Sequence, residues 1–243
     1  MSELRRQVAA SDLEIDTALS DIFAVEIGGD SCSLLPALTD LGYVYRMSSA
    51  YVTQLLDLIL TTAIAEALNL ERLLAHDIIT SPALDEDKPE CVEAILTQFS
   101  KRPIELNSLL VPVYNLDHTK IAKWYGLRTL SSLKRPIRVT QFLESWQSAI
   151  PAVIDKANPD MNLLVGNFHH PSTGMVQYLP CSELSTVPEQ RFGQLFQIKE
   201  KWHIDEIMPF LQGCVESGAG WEKKAQRECQ KWARIKGEIV MKR

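Results

Sequence analysis

The stretch Thr140-Gln-Phe-Leu-Glu-Ser-Trp-Gln-Ser-Ala-Ile150 spaces Phe142, Leu143, Trp146 and Ile150 as one face of a short amphipathic helix, which Pro151 stops. Leu163-Leu-Val165 and Met175-Val-Gln-Tyr-Leu179 read as two strands on either side of the turn Pro171-Ser-Thr-Gly174. A helix followed by a two-strand wing decides the fold, because the same order is legible elsewhere. Towards the N-terminus, Asp117 can cap a helix from Thr119 to about Ser132 that buries Ile121, Trp124, Tyr125 and Leu130. Before it come an extended run, Ser108–Tyr114, and a helix, Pro89–Phe99, burying Val92, Ile95 and Leu96.

Further back, the pattern predicts a long helix from Ser49 to Leu74, a strand in Gly42-Tyr-Val-Tyr-Arg46, and a strand in Phe23–Ile27 behind a helix opened by the capping box Ser11 to Glu14. Towards the C-terminus, helices are expected over Pro188–Lys199 and Ile204–Leu211. Gly213, Gly218 and Gly220 then mark a boundary before a basic, helix-prone tail, Trp221–Arg243. The fold class is mostly α with small β wings (α+β), arranged as tandem winged-helix domains of which the first is incomplete. The expected domains are 1–75, 76–136 and 137–213, with a basic helical tail over 214–243.

The chain has 243 residues, of which 46% are hydrophobic and 23% charged, with only 11 Gly and 12 Pro. That excludes collagen-like, low-complexity and wholly disordered classes. Its five cysteines, at 32, 91, 181, 214 and 229, form no CxxC pair, so they build neither a zinc knuckle nor a thioredoxin motif. The N-terminus has no apolar signal segment. The most apolar stretch, Val52–Leu70, contains Gln54, Asp57 and Glu66, as a core helix does and a membrane span does not. A reducing, intracellular, soluble protein is expected.

No phosphate-cradling GxxxxGK[ST] loop, GxGxxG turn, GxSxG elbow or HExxH helix is present, so no catalysis and no cofactor are expected. His169-His170 near Cys181 lacks the ligand number and spacing of a metal site and reads as a polar turn at a wing tip. The basic stretches are more informative. From His118 to Leu143 there is no acidic residue, and six cations occur: Lys120, Lys123, Arg128, Lys134, Arg135 and Arg138. Lys120 and Lys123 are three apart on one helix and share a face, which suits sequence-independent phosphate contact. No Asn or Gln accompanies them from Thr119 to Arg128, so base reading is not expected. The tail from Trp221 carries eight cations and three Glu, a net +5 in a chain of −6, and could meet an acidic partner, nucleic acid or a membrane surface.

The segment Glu189-Gln-Arg-Phe-Gly-Gln-Leu-Phe-Gln-Ile-Lys-Glu-Lys-Trp202, followed by Ile204, Ile207, Pro209 and Phe210, resembles the C-terminal end of the "defective in sister chromatid cohesion" family. Ser11-Asp-Leu-Glu-Ile15 with Ile27-Gly-Gly29 is similar to that family's first winged helix, and Phe142–Pro151 to the helix opening its last. Gly42-Tyr-Val-Tyr-Arg46 stands where the family carries Gly-Tyr-Trp-Arg, and Gly29–Leu41 resembles an insertion in the first wing. The resemblance implies a non-catalytic subunit of the alternative replication factor C clamp loader. Such a subunit acts in the nucleus in DNA replication, the cell cycle and sister chromatid cohesion. It implies contact with the other loader subunits, with the catalytic subunit of DNA polymerase epsilon, indirectly with the sliding clamp PCNA, weakly with DNA, and with no membrane. The winged-helix half is expected to bind the polymerase without holding the loader ring by itself. The alternative reading from the residues is a free-standing winged-helix DNA-binding regulator.

Overall fold

The computed structural model describes residues 37–40, 43–84, 89–102, 104–107, 109, 111–152, 154, 157–214 and 221–242. The expected capping box at Ser11 and strand at Phe23–Ile27 lie outside these. The chain divides into two compact units. One holds Ser33–Gly126 and Trp146–Pro159, and the other Leu127–Ser145 and Asp160–Arg243.

In the first unit, β1 (Ala37–Asp40) and β2 (Tyr43–Arg46) form an antiparallel hairpin with Ala37 opposite Arg46. Helix α1 (Ser49–Ala65) begins where the Ser48 hydroxyl accepts from the Tyr51 N–H, and it buries Val52, Leu55, Leu56, Ile59 and Leu60. The sequence pattern carries this helix to Leu74, but it ends nine residues earlier. Ala67 takes a left-handed φ of 53°, and the Leu68 N–H folds back 2.7 Å to the Ala63 carbonyl, a Schellman closure. Strand β3 (Leu73–Leu74), helix α2 (Ala75–Ile79), helix α3 (Pro89–Phe99), strand β4 (Glu105–Leu106) and strand β5 (Pro112–Tyr114) follow. The sheet order is β3-β5-β4, antiparallel throughout. Cys91, Val92, Ile95, Leu96 and Phe99 of α3 are buried, and α3 packs on α1 and α2.

Helix α4 (His118–Ser131) opens on Asp117, whose carboxylate accepts from the N–H groups of Thr119 (2.9 Å) and Lys120 (3.4 Å). Its first half belongs to the first unit and is pinned there. The Trp124 indole N–H donates to Thr53 Oγ1 at 3.1 Å, the Tyr125 hydroxyl donates to the Asp57 carboxylate, and Trp124 meets the Phe99 ring edge-on at 5.8 Å. Trp146, fully buried, donates its indole N–H to the Ala122 carbonyl at 2.8 Å.

Among the described residues the second unit holds two three-stranded antiparallel sheets. The first joins β6 (Ile137–Arg138), β7 (Phe168–His169) and β8 (Met175–Tyr178) in the order β6-β8-β7. Helix α5 (Val139–Ala149) follows β6. Leu163–Val165 is expected as a strand, but Leu163 and Leu164 belong instead to a 3-10 helix over Met161–Leu164, with Val165 as its C-cap. Asp160 caps that helix by accepting from the Asn162 N–H, and a side chain that caps a turn this way draws the backbone out of the extended state. The strand that pairs with β8 lies five residues further on.

The last sheet contains β9 (Lys201–His203), β10 (Ala233–Lys236) and β11 (Ile239–Lys242) in the order β10-β11-β9. Helices α6 (Pro188–Ile198), α7 (Ile204–Ile207) and α8 (Trp221–Trp232) surround it. The tail is therefore not helical to its end. It turns at Gly237 (φ 61°) into a hairpin whose second strand pairs with β9, Val240 opposite Trp202. The boundaries expected after residues 75 and 213 thus each separate strands that are hydrogen-bonded to one another, Leu73 with Tyr114 and Trp202 with Val240.

Around Trp202, with no exposed surface, gather Phe192, Leu195, Phe196, Ile207, Phe210, Leu211, Ala225, Cys229 and Val240. Arg191 lies inside this core and donates to four carbonyls: Ser185 (2.6 Å), Phe210 (2.7 Å), Cys181 and Leu184 (both 3.3 Å). Five guanidinium donors in a fixed fork suit that task better than an ammonium does.

The fold class is α+β. Among the described residues, a helix, a strand, one or two helices and a hairpin follow one another three times, with α2 and α3, α5 alone, and α7 and α8 between strand and hairpin, and each time the last strand lies at the centre of its sheet. Among the described residues no helix is long and apolar enough to cross a membrane.

Candidate nucleic-acid interface

The six cations of the 118–143 stretch fall in two units, Lys120 and Lys123 in the first and Arg128, Lys134, Arg135 and Arg138 in the second. Ile121 and Trp124 are buried, so α4 does turn its apolar face inward as its spacing predicts. Lys120 nevertheless does not stand clear in solvent. Its Nζ donates to the Ser100 carbonyl at 2.6 Å, and partial burial lowers its pKa, with Asp117 opposing and Arg102 adding to that shift. The ammonium ties the start of α4 to the end of α3. Lys123 is half-buried. Arg128 lies exposed in the last turn of α4, Lys134 and Arg135 in the turn that follows, and Arg138 on β6.

A second basic surface has a shape that the sequence reading did not anticipate. Helix α8 exposes Lys223, Lys224, Arg227 and Lys231, of which positions 223, 227 and 231 recur at four-residue spacing along one face. Ala225 and Cys229 on the other side of the helix have no exposed surface. The hairpin continues the run with exposed Arg234, Lys236 and Lys242. Glu238 beside Gly237 is the acidic group at its turn, and the His203 Nε2 lies 3.1 Å from that carboxylate. The signal was present as the +5 charge of the tail. Its concentration on one helix and one hairpin follows from the pairing of β11 with β9.

His169 and His170 do not converge on Cys181. The His170 Nδ1–H donates to the Met175 carbonyl at 2.6 Å, and the Cys181 thiol donates to the Pro209 carbonyl at 3.5 Å. Among the described residues no group of three or more His, Cys, Asp or Glu side chains could hold a metal ion.

Residues 1–211 match the sequence model of the family described as Sister chromatid cohesion protein Dcc1. This chain belongs to the Dcc1 family. Relatives include the Sister chromatid cohesion protein DCC1 of Saccharomyces cerevisiae, 28% identical over 181 residues, which are 70% of this chain and 46% of that protein. The Danio rerio protein of the same name is 23% identical over 241 residues, 97% of this chain and 57% of its own length. The human one is 23% identical over 210 residues, 86% of this chain and 49% of its own. The chain spans about half the length of these relatives. The family match ends ahead of α8, so the basic helix and hairpin lie beyond it.

Proposed function

We propose that this chain supplies the winged-helix part of a non-catalytic replication factor in sister chromatid cohesion. It acts in the nucleus with the alternative replication factor C clamp loader, which loads or unloads PCNA. Its role there is to tether the loader to the catalytic subunit of DNA polymerase epsilon and to touch DNA weakly. The observation that carries this reading is the threefold recurrence of helix, strand, one or two helices and hairpin in a Dcc1-family chain. We read each recurrence as one winged helix. In that reading α8 holds the recognition-helix position of the last module and the β10–β11 hairpin its wing. Phosphate contact falls to α8 and to Arg128, Lys134, Arg135 and Arg138, whereas Lys120 serves the docking of α4.

Calorimetry of the chain against the polymerase catalytic subunit is expected to show binding. Co-elution with the loader subunits, without a longer family member present, is expected to fail. Absence of heat with the polymerase overturns the tether, and stable co-elution with the complete loader overturns the second statement.

A further inference from the structure

His169 of β7 is 4% exposed, lies 5.8 Å from the Trp202 ring of β9, and leaves its Nδ1 without a hydrogen-bond partner. The charged side chains that act on it, Glu206 and Lys199, are both engaged. Glu206 of α7 spends one carboxylate oxygen on the His170 N–H (2.7 Å) and the other on Lys199 Nζ (2.6 Å). Lys199, at the end of α6, also donates to the His170 carbonyl (3.1 Å) and stands 5.3 Å over the Trp202 ring. On β8, Gln177 is the cross-strand partner of His169. These contacts fasten the β7–β8 hairpin to the β9–α7 segment, and all of them lie within the second unit.

We propose that His169 is an acid-sensitive latch: neutral, it lets the β7–β8 hairpin close on Trp202, and protonated, it releases that hairpin from β9 and α7. A proton added to a buried ring must be hydrated or paired. Among the described residues the carboxylate that acts on the ring is Glu206, whose two oxygens already accept from the His170 N–H and Lys199 Nζ, and the ammonium of Lys199 repels the new charge. Burial is the largest influence and holds the ring below the ordinary histidine value. Glu206 and Gln177 oppose it, while Lys199 and His170 reinforce it. The sign follows. A histidine that titrates lower when closed than when open binds more protons in the open form, so closure weakens as pH falls below about 6.5, the value of a hydrated ring.

The test is amide hydrogen exchange in the full chain from pH 7.5 to 5.5, corrected for the intrinsic rate, with α6 as internal reference. The opening constant of residues 168–178 is expected to rise by up to about tenfold per pH unit below about pH 6.5, as uptake of one proton requires, while α6 stays level. His170→Gln keeps that dependence and His169→Gln flattens it. A level profile in the parent, equal acceleration of α6, or unchanged dependence in His169→Gln overturns the latch. Should His169→Gln fail to fold, the ring's own NMR titration in the parent decides. Proton uptake in step with hairpin opening supports the latch, and uptake in a closed hairpin overturns it.

Discussion

Gly126 has no side chain where the indole of Trp146 needs the room. A Cβ at this position would lie 2.5 Å from the indole Cζ2, and the ring cannot slide away, because its N–H is held 2.8 Å from the Ala122 carbonyl. Two effects compete in Gly126→Ala. Helix propensity favours alanine by about 1 kcal/mol, whereas forcing a buried indole off its rotamer costs about 1–3 kcal/mol or more. Sterics win at this distance, so the variant is expected to be about 1–2 kcal/mol less stable in urea unfolding. A midpoint equal to or above the parent's would mean that Trp146 has somewhere to go. The need for glycine was not legible in Tyr125-Gly126-Leu127, since its cause lies twenty residues away in a side chain that packs on α4.

The boundaries of α1 and α8 show what periodicity can and cannot deliver. Helix α3 runs from Pro89 to Phe99 as its apolar spacing predicts, because a proline start and five buried positions on one face leave little choice. Helix α1 stops early at a position that no glycine marks. Ala67 takes the left-handed conformation there, which costs an L-residue about 1–2 kcal/mol. Ala67→Gly removes that cost, loses part of the gain to the freer unfolded chain, and is expected to raise stability by about 0.5 kcal/mol in the same unfolding assay. A loss of stability would place the Schellman closure in doubt. In the tail, the cationic run of Lys223–Lys231 overshadows a weaker period-two signal. Ala233 and Ile235 alternate with Arg234 and Lys236, and Gly237 supplies the turn. The candidate site was therefore legible as charge and illegible as shape. Charge is a property of residues, while shape depended on β11 finding β9 across α7 and α8.

For the whole molecule, the net charge of −6 sets a ceiling on any duplex contact, since only local surfaces oppose it. With about three phosphates contacted, log affinity should fall against log salt with a slope near −2.7, and the dissociation constant at physiological salt should be no better than about micromolar. Reversing Lys223 and Arg227 to Glu should remove about two of those contacts and flatten the slope by about 1.8, with the fold intact because both side chains are exposed. Titration of labelled duplex at several salt concentrations checks this. No binding at low salt, or a slope that ignores the double reversal, would make α8 a solvated face. The central place of β5, β8 and β11 has a consequence for synthesis. Each sheet waits for the strand that leaves the ribosome last. When β9 emerges its partner β11 is still missing, and at about 5–20 residues per second the chain to β11 takes a few seconds more. Through that interval the Trp202 strand lacks its partner in the nascent chain, so a premature stop between residues 203 and 239 leaves behind a product with an unpaired strand ready to join another copy.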